Sequence, residues 1–220
     1  LETGYLLTPP RTVDIGPERL ERWLRGFAER HGDVGWSAAD EALHGVAADG
    51  ATADLVAPYP PLPGGWASEQ AISVLVEHAS RRRVVGILLV RLGGYAMGVF
   101  DGDDVVASKV GARQVHGRSA AGGWSQHRFA RRREAQVKVA LEAATNTAIA
   151  VVLPHVARLD AVVSGGDRTA LRTVLADPRL AALRPLVVAR ILDVPDPKAR
   201  VLRDSLEACR AIKVTFSEPD

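Results

Sequence analysis

The chain is 220 residues long, 47% hydrophobic and 25% charged, with a formal net charge of +2 at pH 7. This balance excludes a disordered polyelectrolyte and leaves ample apolar surface for a core, in one large domain or a small domain beside a medium one. Cys209 is the only cysteine, and the six histidines are scattered with no i, i+4 pair, which excludes an intrachain disulfide and a thiolate zinc site and argues against any metal centre.

No apolar run approaches the ~18 residues of a membrane helix. The opening residues, LETGYLLTPPR, contain no basic segment leading into an apolar one. The expectation is a cytoplasmic protein with no membrane partner, no metal and no cofactor.

A short strand is predicted over 12–15. Pro17 stands where a helix opens, Glu18 adds negative charge to its first turn, and Leu20, Trp23, Leu24 and Phe27 follow at helical spacing before Gly32. That spacing makes Trp23 and Phe27 core residues. Runs at 42–48 and 52–57 flank Asp49-Gly50, a good hairpin turn. Residues 58–65 hold four prolines and two glycines and can continue neither element type. They read as a stiff connector and set a boundary: a small N-terminal strand–helix–hairpin subdomain at 1–65, and a larger domain at 66–220. A helix over about 68–80 carries Ile72, Leu75 and Val76 on one side, and Arg81-Arg82-Arg83 reads as its solvated end.

VVGILLVRL at 84–92 meets YAMGVF at 95–100 across Gly93-Gly94, a two-residue hairpin connection. Asp101-Gly102-Asp103 makes a second turn, and 105–115 supplies a third antiparallel strand. A helix over about 126–148 has Phe129, Val137, Ala140, Leu141 and Ala144 on one face. A strand at 160–163, the turn Ser164-Gly165-Gly166-Asp167, a helix at 168–175, a strand near 186–191 and a helix at 198–210 follow. Ser164-Gly165-Gly166-Asp167 reads as a helix N-cap in preference to an anion site. The order of the larger domain is β-β-β-α-β-α-β-α. It defines an α/β (α+β) fold with a mixed, ribonuclease-H-like sheet. Ribonuclease H enzymes hold two metals on strand carboxylates; here the first strand of the larger domain carries none.

The charge is unevenly spread. Between 105 and 133 stand seven cationic side chains, Lys109, Arg113, Arg118, Arg128, Arg131, Arg132 and Arg133, and no carboxylate. The rest of the chain is therefore net negative. Such a concentration is an electrostatic footprint for nucleic acid. The arginines of the following helix lie in its first turns, where the dipole is also positive, so a bound anion would relieve the repulsion.

Three readings compete for Gly122-Gly123-Trp124-Ser125-Gln126-His127. In the first, Ser125 is a nucleophile with His116 or His127 as base. The G-x-S-x-G elbow pattern lacks its second glycine here, and no carboxylate is placed to orient a base. In the second, the segment is a mobile basic connection that binds RNA or DNA without sequence preference. In the third, glycines let the backbone approach a reacting centre and Gln126 is presented into a nucleic-acid site built by something else. A glutamine is no general base, but it donates and accepts hydrogen bonds and so orients water or stabilises an oxyanion.

The pieces GILLVRLGGYAMGVFDG at 86–102 and KVGARQVHGRSAAGGWSQHRFARRREAQ at 109–136, with the β-α-β-α that follows, resemble the Vms-like release factors of ribosome quality control, in their actinobacterial branch. That family is similar to the middle domain of the eukaryotic class-one release factor. The resemblance implies a ribonuclease-H-like fold and a peptidyl-tRNA hydrolase acting on stalled large ribosomal subunits. It implies Gln126 as the catalytic glutamine and Gly122 and Gly123 as the glycines of the tip. The family's triplet is contiguous, whereas Trp124 and Ser125 stand between glycine and glutamine here. Arg113, Arg118, Trp124, His127, Arg128, Arg131, Arg132 and Arg133 are the expected contacts to tRNA and ribosomal RNA, made by a monomer. The alternatives are a noncatalytic RNA-binding or ribosome-associated module, and a structure-specific nuclease.

Overall fold

The computed structural model of the chain describes residues 8–38, 42–63, 70–112 and 124–219, with the backbone alone at 124–132. In chain order the elements are β1 (Arg11–Ile15), α1 (Pro17–His31), β2 (Val34–Ala38), β3 (Ala42–Ala47), β4 (Thr52–Val56), α2 (Ala71–Ser80), β5 (Val84–Arg91), β6 (Gly94–Asp101) and β7 (Asp104–Ala112). They continue with α3 (Trp124–Val151), a 3₁₀ helix (Leu153–Arg158), β8 (Ala161–Gly166), α4 (Arg168–Leu175), a second 3₁₀ helix (Pro178–Leu186), β9 (Val187–Leu192), α5 (Ala199–Arg210) and β10 (Ile212–Ser217). Two compact units result: Leu1–Arg81 with Glu207–Asp220, and Arg82–Leu206.

The first unit is an antiparallel sheet of order β1-β10-β4-β3-β2. Pro17 sits at the start of α1, where a missing N–H costs nothing, and Gly32 ends the helix at φ 83°, its N–H bonding Ala28 O at 2.8 Å. Leu20, Phe27, Leu43, Leu55, Leu75 and Val214 are fully buried together. Trp23 stacks on Phe27 with ring centroids 5.3 Å apart and meets Phe216 edge-on at 5.6 Å, as the helical spacing predicts. Two strands are absent from the sequence reading, β2 and β10. Strand β10 pairs with both β1 and β4, so the chain's last strand completes the sheet that its first strand begins.

The described part of the expected connector, residues 58–63, includes residues packed into the first unit. Tyr59 and Leu62 are buried, and the His78 ring of α2 donates from Nε2 to Tyr59 O at 2.6 Å. The units accordingly divide at Arg81/Arg82 and again within α5, where the sequence expectation has one boundary after Gly65. The reason is long-range pairing: β10 lies about 155 residues from β4 in sequence and beside it in space.

The second unit is a mixed α/β layer with sheet order β7-β6-β5-β8-β9. The β5–β6 and β6–β7 pairs are antiparallel, and β5–β8 and β8–β9 are parallel. Strand β5 is buried from Val85 to Val90, the continuous apolar run expected of a strand covered on both faces. The turn between β5 and β6 uses Leu92 and Gly93, with Arg91 opposite Gly94, one residue earlier than the glycine pair implies. Leu88, Met97, Val99, Ala144, Ala148, Val162, Leu171 and Leu180 form the core with α3 and α4.

Residues 164–166 continue β8 rather than turning. Gly166 has φ 102°, and a Cβ there would lie 2.3 Å from Val90 O, so only glycine fits. Asp167 then caps α4, accepting from Ala170 N–H at 2.8 Å, which is the N-cap role read from the sequence. Arg82, in the run expected to be solvated, donates to Asp101 at 2.7 Å and Asp104 at 3.1 Å. Among the described residues no helix is long and apolar enough to cross a membrane.

Candidate nucleic-acid interface

Strand β7 leads toward the basic stretch. It is the edge strand of its sheet and exposed along most of its length; its solvent-facing residues include Val105, Val110 and Lys109. After residues 113–123, α3 runs unbroken for 28 residues because no glycine or proline interrupts 124–151. Its first turn contains no acidic residue. Cationic residues at 128 and 131–133 stand four to nine positions past the helix start at Trp124, beyond the terminal turn in which the dipole acts; the expected repulsion with the dipole is replaced by repulsion among the like charges themselves.

Arg113, Arg118, Gly122 and Gly123 lie outside the described residues. Trp124, Gln126, His127, Arg128, Arg131 and Arg132 lie on the backbone of α3, with side chains outside the description. Gln126 thus belongs to the first helical turn and not to a loop preceding it. Arg133 is seven residues further, about 10 Å along the axis, and its side chain is described: it is partly buried and lines a groove.

That groove, of about 1080 Å³, runs between α3 and the α4 region. Leu92, Val137, Leu141 and Ala176 supply apolar lining, and Arg133, Glu134, Lys138 and Glu142 supply charge of both signs. Val137 and Leu141 share with Ala140 and Ala144 the face predicted to be core, yet only the alanines are buried. On the opposite wall Asp177 accepts from Arg179 at 2.8 and 3.0 Å and from its backbone N–H at 2.9 Å. The Arg179 guanidinium, then its backbone N–H, hold the Asp177 carboxyl at about 2. Arg179 is raised in turn, chiefly by Asp177, and also donates to Asn146 of α3 at 3.1 Å. The sequence reading missed this groove. Nothing local signals it, since its walls are about 40 residues apart in the chain.

Among the described residues, no three His, Cys, Asp or Glu side chains gather as a metal site would require.

The chain belongs to the actinobacteria/chloroflexi VLRF1 release factor family, whose model matches residues 83–215. No curated protein matches the chain by sequence. Among solved structures it is similar to an archaeal translation termination factor, aRF1, at 13% identity and TM-score 0.45, covering 93% of this chain and 65% of that one. It is similar to the Vms1 mitochondrial localization core at 9% identity and TM-score 0.42, covering 89% and 80%. Pelota of Archaeoglobus fulgidus gives 11% identity and TM-score 0.30, covering 93% and 66%. Likenesses this distant carry no argument about activity, and the chain spans less than two thirds of the length of aRF1.

Proposed function

We propose that the chain is a peptidyl-tRNA hydrolase that frees nascent peptides from stalled large ribosomal subunits, acting as a cytoplasmic monomer without metal or cofactor. One observation carries this reading. The release-factor match at 83–215 contains the carboxylate-free cationic stretch in which Gly122, Gly123 and Gln126 stand. The strand order β7-β6-β5-β8-β9 supports describing the second unit as ribonuclease-H-like, with the basic segment inserted between its third strand and first helix.

In this mechanism the arginines at 113, 118, 128 and 131–133 hold tRNA or ribosomal RNA through its phosphates. Trp124 and His127 add contacts to nucleotides. Gln126 sits at the ester that joins peptide to tRNA. Its amide carries no charge to titrate, so it orients the attacking water or donates to the oxyanion of the tetrahedral intermediate. Gly122 and Gly123 let the main chain approach the ester closely. The ribosome supplies the remainder of the site.

The direct test is release of labelled peptide from purified 50S–peptidyl-tRNA complexes, with and without the protein. Release above the protein-free control supports the hydrolase. Binding to those complexes with no added release would instead support a noncatalytic RNA-binding module.

A further inference from the structure

The solvent side of the first unit's sheet carries a second chemical arrangement, remote in sequence from the basic helix. Ser37 on β2 stands opposite His44 on β3, and His44 stands opposite Asp54 on β4. The three residues therefore form one cross-strand row, in which neighbouring side chains project to the same face about 5 Å apart. All three side chains are solvent-accessible, His44 and Asp54 each by 49%. Their neighbours Leu43 and Leu55 point to the other face, into the core.

His44 Nδ1 lies 2.6 Å from Asp54 Oδ1. A carboxylate only accepts, so the ring donates from Nδ1, and its neutral form then carries the lone pair on Nε2. This is the tautomer a general base needs, with a carboxylate orienting it from behind. The Ser37 hydroxyl donates to His44 O at 3.3 Å, a long bond to the backbone of the same cross-strand pair. A different χ1 rotamer of Ser37 is required for the proposed step, since the hydroxyl must leave that carbonyl to meet the ring.

We propose that Ser37, His44 and Asp54 form a nucleophile–base–orienter row that takes acyl groups from small activated esters. Ser37 Oγ bonds to the acyl carbon while its proton passes to His44 Nε2. The bond to the leaving group breaks, and that proton departs with it. Water then attacks the acyl-serine, giving a proton to His44, which returns it to Ser37 Oγ as the carboxylic acid's anion and a second proton leave. The row lies on the sheet face opposite the core, with all three side chains solvent-accessible. Substrate choice is therefore set by leaving-group quality and not by shape, and the activity is independent of Gln126.

The test uses the full chain and p-nitrophenyl acetate. The expected result is a burst of nitrophenolate approaching one equivalent and an acetyl group on the Ser37 peptide by mass spectrometry. Ser37→Ala should abolish the burst. His44→Gln should slow it by about a hundredfold, the scale of a lost general base. Asp54→Asn should slow it as well, because an amide can donate to Nδ1 and so permits the unproductive tautomer. Circular dichroism of each variant checks that the exposed substitutions leave the fold intact. An unchanged burst in Ser37→Ala, or acetyl found only on histidine or lysine, overturns the proposal. Peptide release by the ribosomal assay is expected to be unaffected by Ser37→Ala.

Discussion

Asp177 is clasped by Arg179 through two guanidinium bonds, at 2.8 and 3.0 Å, and by the same residue's backbone N–H at 2.9 Å. All three bonds favour the ionised carboxyl, which is why its pKa falls to about 2. A depressed carboxyl contributes stability that is complete above its unfolded value, about 3.9. That contribution is lost as pH falls from there through about 2. Carboxyl NMR titration should place Asp177 near 2, and Arg179→Ala should return it toward the ordinary aspartate range. Both groups are solvent-accessible, so the change in overall stability should be small and weaken with salt. A titration unmoved by Arg179→Ala would show that the clasp does not exist in solution.

Gly166 is the backbone hinge between β8 and α4. Its φ of 102° and the 2.3 Å approach of a hypothetical Cβ to Val90 O leave no room for a side chain. Gly166→Ala should destabilise the protein by roughly 1–3 kcal/mol, from left-handed strain plus the clash. Urea unfolding read by circular dichroism measures it. A neutral result would mean that the β8–α4 junction relaxes freely, contrary to the Asp167 N–H bond to Val90 O at 2.8 Å.

Changing Arg131, Arg132 and Arg133 together to Ala should weaken binding to tRNA or ribosomal subunits. It should also flatten the dependence of log affinity on log salt, by about 0.7 for each phosphate of single-stranded RNA that is no longer neutralised. Filter binding across a salt series gives the slope. If affinity falls while the slope is preserved, the three arginines do not touch phosphate.

Gln126→Ala removes an amide and no charge, so docking through the arginines should persist while peptide release falls about a hundredfold or more. If the backbone N–H of Gln126 serves the oxyanion instead, that variant is mild and Gly123→Pro, which fixes φ, is the damaging one. Ser125→Ala should retain activity. Full release by both Gln126→Ala and Gly123→Pro would defeat the hydrolase reading.

The second unit's element order was legible from the chain because its signals are local. A continuous apolar run marks β5, glycines and aspartates mark the hairpin turns, and 28 residues without glycine or proline carry α3. The concentration of arginines and the Gly122-Gly123…Gln126 pattern were equally legible, since charge and residue type need no fold to be counted. Tertiary structure alone decided the pairings of strands distant in the chain, β5 with β8, β8 with β9, and β10 with β1 and β4. IKVTFS at 212–217 has strand propensity, but its insertion between β1 and β4 depends on apolar pairing across the whole chain. The same holds for Val137 and Leu141. Their period puts them with the core-facing alanines, while the groove wall formed by residues 173–179 leaves them only partly covered. Ser37, His44 and Asp54 are unremarked polar residues in sequence, and become a row only when three strands take one register. Periodicity specifies which face a side chain takes; the partner waiting on that face is fixed by long-range packing.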